Sequence, residues 1–213
     1  MREIVRSFAS LRRHLSVVAC LFALSGGGAF GAEPTVAVAV AQAGKAFSVD
    51  AMVDVPVSVA TAWGVMTDFD NMTAILGNLT SSKVTSRAGN TWIVRQQGVA
   101  KYGFLSFAFE SEREMRLEPM KRILAKSLSG TAKRMESEAK LMPLGRGVQI
   151  RYHAEVEPDS MLARMFGAPF VRHEVEEQFI LMSKEMMRRQ PPPAAGVFPP
   201  SLGRAGAALA QAR

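Results

Sequence analysis

The stretch VDVPVSVATAWGVMTDFDN, Val53 to Asn71, ends a strand, opens a helix and leaves it through an acidic turn, and the order of the remaining elements follows from it. Upstream, Phe47, Val49, Ala51, Val53 and Val55 share one face of an extended segment, opposite Ser48, Asp50 and Asp54. Alternation with a period of two is the pattern of a half-buried strand. Pro56 stops that strand because it has no N–H for the ladder. Ser58 can cap a short helix whose apolar members are Ala62, Trp63, Val65 and Met66, and a second short helical turn is expected around Met72 to Leu76.

From Leu79 onward the period stays at two for nearly eighty residues. Turn signals at Ala88-Gly89-Asn90, Tyr102-Gly103, Glu118-Pro119, Ser129-Gly130 and Gly145-Arg146-Gly147 divide it into six successive strands. Val148, Ile150, Tyr152, Ala154 and Val156 alternate with Gln149, Arg151, His153 and Glu155, while Phe107 and Phe109 oppose Glu110 and Glu112. This is the pattern of an antiparallel sheet with one solvated face, and its short connections predict a curled meander. After Pro158 the period becomes helical, first briefly through Met161, Leu162, Met165 and Phe166, and then again beyond Gly167-Ala168-Pro169. Pro169 suits a first helical turn, and Val171, Val175, Phe179, Met182 and Met186 form an apolar stripe. A helix from Pro169 to Arg189 would be about 31 Å long, enough to cross such a sheet. One helix cannot cover a strongly curled sheet completely, so an apolar cavity between the two is expected.

The strand, proline, tryptophan helix and Asp-Phe turn of Val53 to Asn71 resemble the START-like, polyketide cyclase/dehydrase and lipid-transport superfamily (SRPBCC), whose members include coenzyme Q-binding proteins. Ser81-Ser82-Lys83-Val84, Leu141-Met142-Pro143-Leu144-Gly145 and Val156-Glu157-Pro158 fit the same resemblance, which covers roughly Phe47 to Arg189. It implies an α+β helix-grip fold: a curled antiparallel sheet of six or seven strands wrapped around a long C-terminal helix, with two short helices after strand 1. It also implies binding of lipids, sterols, quinones, polyketides or other apolar molecules, with enzymes as a minority. Met72 replaces the aromatic residue usual after the Asp-Phe turn, and Ile75 to Gly77 replace an aromatic-proline pair, so a different pocket rim is expected.

On the predicted inward faces, Phe107, Phe109, Tyr152, Phe166, Phe170, Val175 and Phe179 are the candidate ligand-binding residues, although apolar stripes equally serve as plain core. Arg95, Gln96 and Gln97 are polar exceptions after Trp92-Ile93-Val94, and their facing is open. Facing inward, Gln97 or Arg95 could hydrogen-bond a ligand carbonyl or carboxylate; facing outward, they are solvated.

The ends of the chain differ from this body. Arg2, Arg6, Arg12 and Arg13 precede an uncharged run from Leu15 to Leu24 and small residues from Ser25 to Ala32, the pattern of a signal peptide over residues 1–32 cut near Ala29 to Ala32. The run is about half of the roughly 20 residues needed to span a bilayer. Val17-Val18-Ala19-Cys20 is a poor lipidation site, because the apolar run continues past the cysteine, and Ser16 interrupts the apolar pair that would follow a twin-arginine signal at Arg12-Arg13. Removing the segment takes away the sole cysteine, so thiol chemistry and disulfides are not expected. Residues 33–46 read as an N-terminal linker, 47–189 as the ligand-binding domain and 190–213 as a disordered Pro/Ala-rich tail.

The net charge of +7 falls with loss of the four leader arginines, and 22 basic against 18 acidic residues then remain. That balance gives no polyanion stripe, and Glu110, Glu112 and Glu114 interrupt the sheet's basic residues, so nucleic acid is not an expected partner. His153 should face solvent. His173 and Glu177 are four apart on a helix but are too few for a metal site, so no metal and no cofactor are expected. No Gly-x-Ser-x-Gly segment or glycine-rich phosphate loop follows the leader, and neither Asp68 with Asp70 nor Glu174 with Glu176 and Glu177 is spaced as an opposed catalytic pair. The expected function is an exported protein, periplasmic or secreted, that binds or transports a hydrophobic small molecule or lipid. A cyclase/dehydratase-like enzyme using Tyr152 or Arg95 is the alternative. The third reading is a protein- or membrane-interaction module built on Met161, Met165, Met182, Met186 and Met187, with transient membrane contact.

Overall fold

The structure is a computed structural model that describes residues 33–103, 105–158 and 160–191; the side chains of residues 102, 105 and 160–166 are not among those described. The expected signal peptide, 1–32, and the tail beyond residue 191 lie outside the described residues. Eight antiparallel strands form one sheet: β1 (Thr35–Ala43), β2 (Ala46–Val55), β3 (Leu79–Ala88), β4 (Thr91–Tyr102), β5 (Leu105–Glu118), β6 (Arg122–Gly130), β7 (Ala132–Leu144) and β8 (Gly147–Pro158). Their spatial order is β1-β2-β8-β7-β6-β5-β4-β3. Helix α1 (Val59–Met66) and a 3-10 turn (Phe69–Ala74) separate β2 from β3, and α2 (Ser160–Arg189) follows β8.

The six strands after Leu79 and the strand ending at Pro56 are present as expected. The seventh expected strand becomes an eighth because residues 33–46 are not a linker. Thr35–Ala43 pairs with β2 over its whole length, Val38 opposite Ala51, and Val36 and Val38 pack on the core. Val-Ala alternation has little polar contrast, and alanine is a weak strand former, so pairing with β2 decides its conformation. The two helical stretches expected on either side of Gly167-Ala168-Pro169 are both present: α2 starts at Ser160 and is broken at Gly167, whose φ of 64° and ψ of 178° are not helical. Pro169 follows the break, as a first-turn proline should.

The buried face of β2 is the one its alternation predicts: Phe47, Val49, Ala51, Val53 and Val55 are all buried. Register shifts at Leu79/Ser81 and Val84/Ser86, at Glu112/Arg113 and at Ala132/Arg134 add the local twist that curls the sheet. Ser58 caps α1 by accepting from the Thr61 N–H at 3.0 Å. Helix α2 packs over β1 and β2 and meets α1.

The C-terminal end of α2 is pinned by polar contacts. Gln190 Oε1 accepts from the Ser58 N–H at 3.1 Å and from the Thr61 hydroxyl at 3.0 Å. Arg189 Nη1 meets Asp68 at 2.7 Å. Asp70, the other acid of the turn, accepts from the Val84 N–H at 2.9 Å and pairs with Arg87, whose guanidinium lies over Trp92. The Asp-Phe-Asp turn is therefore structural.

Arg188 donates to Glu185 through two nitrogens, at 2.7 and 2.6 Å, and Arg189 adds a third hydrogen bond at 2.5 Å. These contacts pull the Glu185 carboxyl from 4.5 down to about 2. A carboxyl with a depressed folded pKa contributes stability above its unfolded value, and this is lost as pH falls through the folded value. Wild-type protein should accordingly lose this contribution between about pH 4.5 and pH 2. Glu185→Gln should be less stable at neutral pH and should converge with wild type in melts below that window; a constant gap across it would refute the assignment.

Candidate ligand-binding site

Because α2 lies toward the β1–β2 side, the concave face at the open end of β4 and β5 is roofed only by the N-terminal part of the helix. A cavity of about 290 Å³ lies there. Its floor is Phe47 of β2, Ala100 of β4, Phe107 and Phe109 of β5 and Val156 of β8; its roof is Phe170 and Val171 of α2. Thr131 and Ala132 close one side.

A glycine makes the cavity possible. Gly98 faces Phe109 across the β4–β5 register. A Cβ at Gly98 would lie 2.6 Å from the Phe109 ring and 2.3 Å from the Asn78 carbonyl oxygen. That carbonyl accepts from the Val99 N–H at 2.8 Å, so the loop before β3 is drawn against β4 where only glycine leaves room.

The lining contains two acidic residues, Glu110 at its edge on β5 and Glu174 on the helix. Glu174 is half-buried on α2 and accepts from the Asn78 side-chain amide at 3.2 Å. Burial pushes its pKa above the ordinary carboxylate value; the Asn78 hydrogen bond opposes that rise, and Glu177 adds to it. Gln178 is the next polar residue of the lining along the helix.

Deeper along the strands, the concave face carries a polar chain. Ser82 of β3 donates to the Phe69 carbonyl at 2.5 Å, and Gln96 of β4 donates to Ser82 at 3.0 Å. Arg113 of β5 donates through Nη2 to Gln96 Oε1. Tyr152 of β8 lies near enough to Arg113 for each to influence the other's charge, and its phenol is bonded to Ser137 of β7. Burial lowers the Arg113 pKa and raises that of Tyr152, so the pair is a desolvated cation beside a neutral phenol.

Of the nine candidate residues, Phe107, Phe109 and Phe170 line the cavity. Tyr152 and Phe179 pack edge to face at 5.3 Å in the interior, and Val175 packs on the same core. The Phe166 side chain lies outside those described. Arg95 and Gln97 are corrected: both are exposed on the outer face, where Arg95 approaches Glu110 at 3.8 Å. The inward positions of β4 are Val94, Gln96, Gly98 and Ala100. The three apolar residues Trp92-Ile93-Val94 conceal that parity in the sequence. Gln96, the middle one of the three polar exceptions, is the one that points inward, and Arg113, Asn78 and Glu174 are site residues that the sequence reading misses. Continuing the alternation of Phe107 and Phe109 to position 113 is the available signal for the arginine.

His153 is exposed, as expected, and its Nδ1 lies 2.8 Å from Asp50 on the outer face. His173 and Glu177 stand 3.9 Å apart. Among the described residues, no group of three histidines, cysteines or acids is placed to hold a metal, and no helix is long and apolar enough to cross a membrane. Met186 is fully buried and Met182 packs on the core, so these two serve packing, while Met187 is exposed; the side chains of Met161 and Met165 lie outside those described.

Comparison with solved structures finds the same fold at low identity. TTHA0849 from Thermus thermophilus has a TM-score of 0.58 at 18% identity, over 66% of this chain and 97% of its own. The Zhui aromatase/cyclase from Streptomyces sp. R1128 has a TM-score of 0.57 at 14% identity, covering 68% and 95%. A START superfamily protein from Mycobacterium smegmatis has a TM-score of 0.53 at 15% identity, covering 67% and 96%. Among curated proteins, no sequence matches this one. The family described as polyketide cyclase / dehydrase and lipid transport matches residues 55–179, from the end of β2 to the middle of α2. With more than half of its length matched and the helix-grip sheet in place, the chain belongs to the polyketide cyclase / dehydrase and lipid transport family.

Proposed function

We propose that this protein is an exported carrier that holds a hydrophobic small molecule or lipid in the cavity between β4, β5, β8 and α2. The observation that carries this reading is the lining: three phenylalanines, Phe47, Phe107 and Phe109, face Phe170 and Val171, with Glu174 as the carboxyl turned toward them from the helix. Apolar surface left next to water favours occupancy, at about 25 cal/mol for each Å² covered. A cyclase or dehydratase would need an acid and a base on the same substrate, and Tyr152 is moved by burial away from proton transfer near neutrality. The family contains both kinds of member by its description, and the Zhui protein is an aromatase/cyclase, so turnover is an outcome the test must record.

Protein purified from its own host should release a stoichiometric apolar molecule, chemically unchanged, on denaturing extraction followed by mass spectrometry. In addition, Ala132→Trp should plug the cavity and weaken binding of the neutral dye N-phenylnaphthylamine about tenfold or more, with little change in melting temperature. Conversion of a bound polyketide would move the enzyme reading ahead, and dye binding indifferent to the plug would remove the cavity from consideration.

Export rests on the basic, apolar and small-residue order of Met1 to Ala32. N-terminal sequencing of the protein from the envelope or medium should begin between residues 30 and 33; an intact leader on cytoplasmic protein would refute export.

Glu174 makes carriage pH-dependent. Its raised pKa keeps the neutral acid to higher pH than usual, and the ionised form, once present, holds water at the cavity. Affinity for the neutral dye should therefore fall as pH rises above the ordinary carboxylate value of 4.5, and Glu174→Gln should bind with no such dependence. Equal slopes in the two proteins would exclude Glu174 as the titrating group.

A further inference from the structure

We infer that Arg113 is the internal receptor for a carboxylate, so that the ligand is an amphiphile whose acidic head lies deep in the sheet and whose apolar part occupies the phenylalanine cavity. This rests on the cavity being a ligand site and adds the chemical class of what it takes.

A partly buried guanidinium with a shielded Nε and no carboxylate beside it among the described residues is the starting observation. Arg113 lies on the inward face of β5, in line with Phe107 and Phe109 and opposite Val94 of β4. Its Nε is shielded from solvent and has no hydrogen-bond partner among the described residues. No described carboxylate lies within ion-pair distance of it; the protein offers it the Gln96 carbonyl oxygen. Desolvating a cation is expensive unless an anion or a full set of acceptors replaces the water. The neighbouring acids, Glu112 and Glu114, lie on the opposite face of the strand, because successive side chains alternate.

The surroundings are organised around this cation. The β5–β6 register shift skips Leu128 of β6 and sets the arginine opposite Ser127. Gln96 is fixed on one side by Ser82, which is itself bonded to the Phe69 carbonyl. Tyr152, a neutral phenol held by Ser137, stands on the other side as a second group able to donate. An arginine fork presents N–H groups in the plane that a carboxylate accepts. Phe109 and Arg113 are four residues apart on one strand face, about 13 Å at roughly 3.3 Å per residue, a separation suited to a medium-length chain. Glu174 at the cavity repels an anionic head from the helix end, which orients the acid toward Arg113.

The test compares dodecanoate with methyl dodecanoate, equal in chain and different in charge, on the full-length protein at about pH 8. Both are titrated by calorimetry and by displacement of N-phenylnaphthylamine. The acid should bind about tenfold or more tightly than the ester, the range expected for a hydrogen bond to a charged group. Gln96→Glu, which gives Arg113 an internal carboxylate, should raise the melting temperature and bring the acid-to-ester ratio to about one. Arg113→Met should do the same to the ratio, and Arg113→Lys should keep part of the preference. Equal affinities of acid and ester in the wild type would overturn the assignment of Arg113 while leaving the carrier reading standing. Failure of the dye itself to bind would bring down both. An unchanged acid preference in Gln96→Glu would show that the head is held elsewhere.

Discussion

Everything at the site depends on how α2 is held against the sheet. Its last turn is tied to the start of α1 by Gln190 and to the Asp-Phe turn by Arg189, so the C-terminal half of the helix sits over β1 and β2. The sheet curls too far for that placement to cover its other half. The uncovered part of the concave face lies below Phe170 and Val171, beyond the break at Gly167, and there the interior is left unfilled. Packing of a curled sheet on one helix thus gives both a dense core around Phe179 and Met186 and a cavity beside it.

Strand parity then distributes chemistry along the concave face. Positions 107 and 109 supply aromatic surface; two and four residues further on, the same face of β5 carries Ser111 and Arg113. In β4 the matching inward positions are Ala100, Gly98 and Gln96. The interior therefore changes from apolar to hydrogen-bonding along a single direction, as an amphiphile does. Glycine at 98 adds a local condition, since any side chain there would displace the Phe109 ring.

Much of the fold was legible because its signals are local. The alternation from Phe47 to Val55, Pro56, the Ser58 cap and the six strands after Leu79 each depend on neighbours in the chain, and each is present. The strand at Thr35–Ala43 was not legible, since alternating valine and alanine carries little contrast and becomes a strand by pairing with β2. The site was read less well. Phe107, Phe109 and Phe170 are found by their faces, whereas Arg95 and Gln97 mislead, because three apolar residues in a row hide the parity of β4.

The amino-acid order by itself determined the element types and their succession from Phe47 onward, the family and the apolar character of the interior, because hydrophobic periodicity and turn chemistry act over a few residues. Only the tertiary structure decided which polar groups meet. Asn78 and Glu174 are 96 positions apart, and Gln96 and Arg113 face each other across two strands. The burial that shifts Glu174, Tyr152 and Arg113 comes from the whole wrapped sheet, and desolvation is a property of the environment that no single stretch of sequence contains.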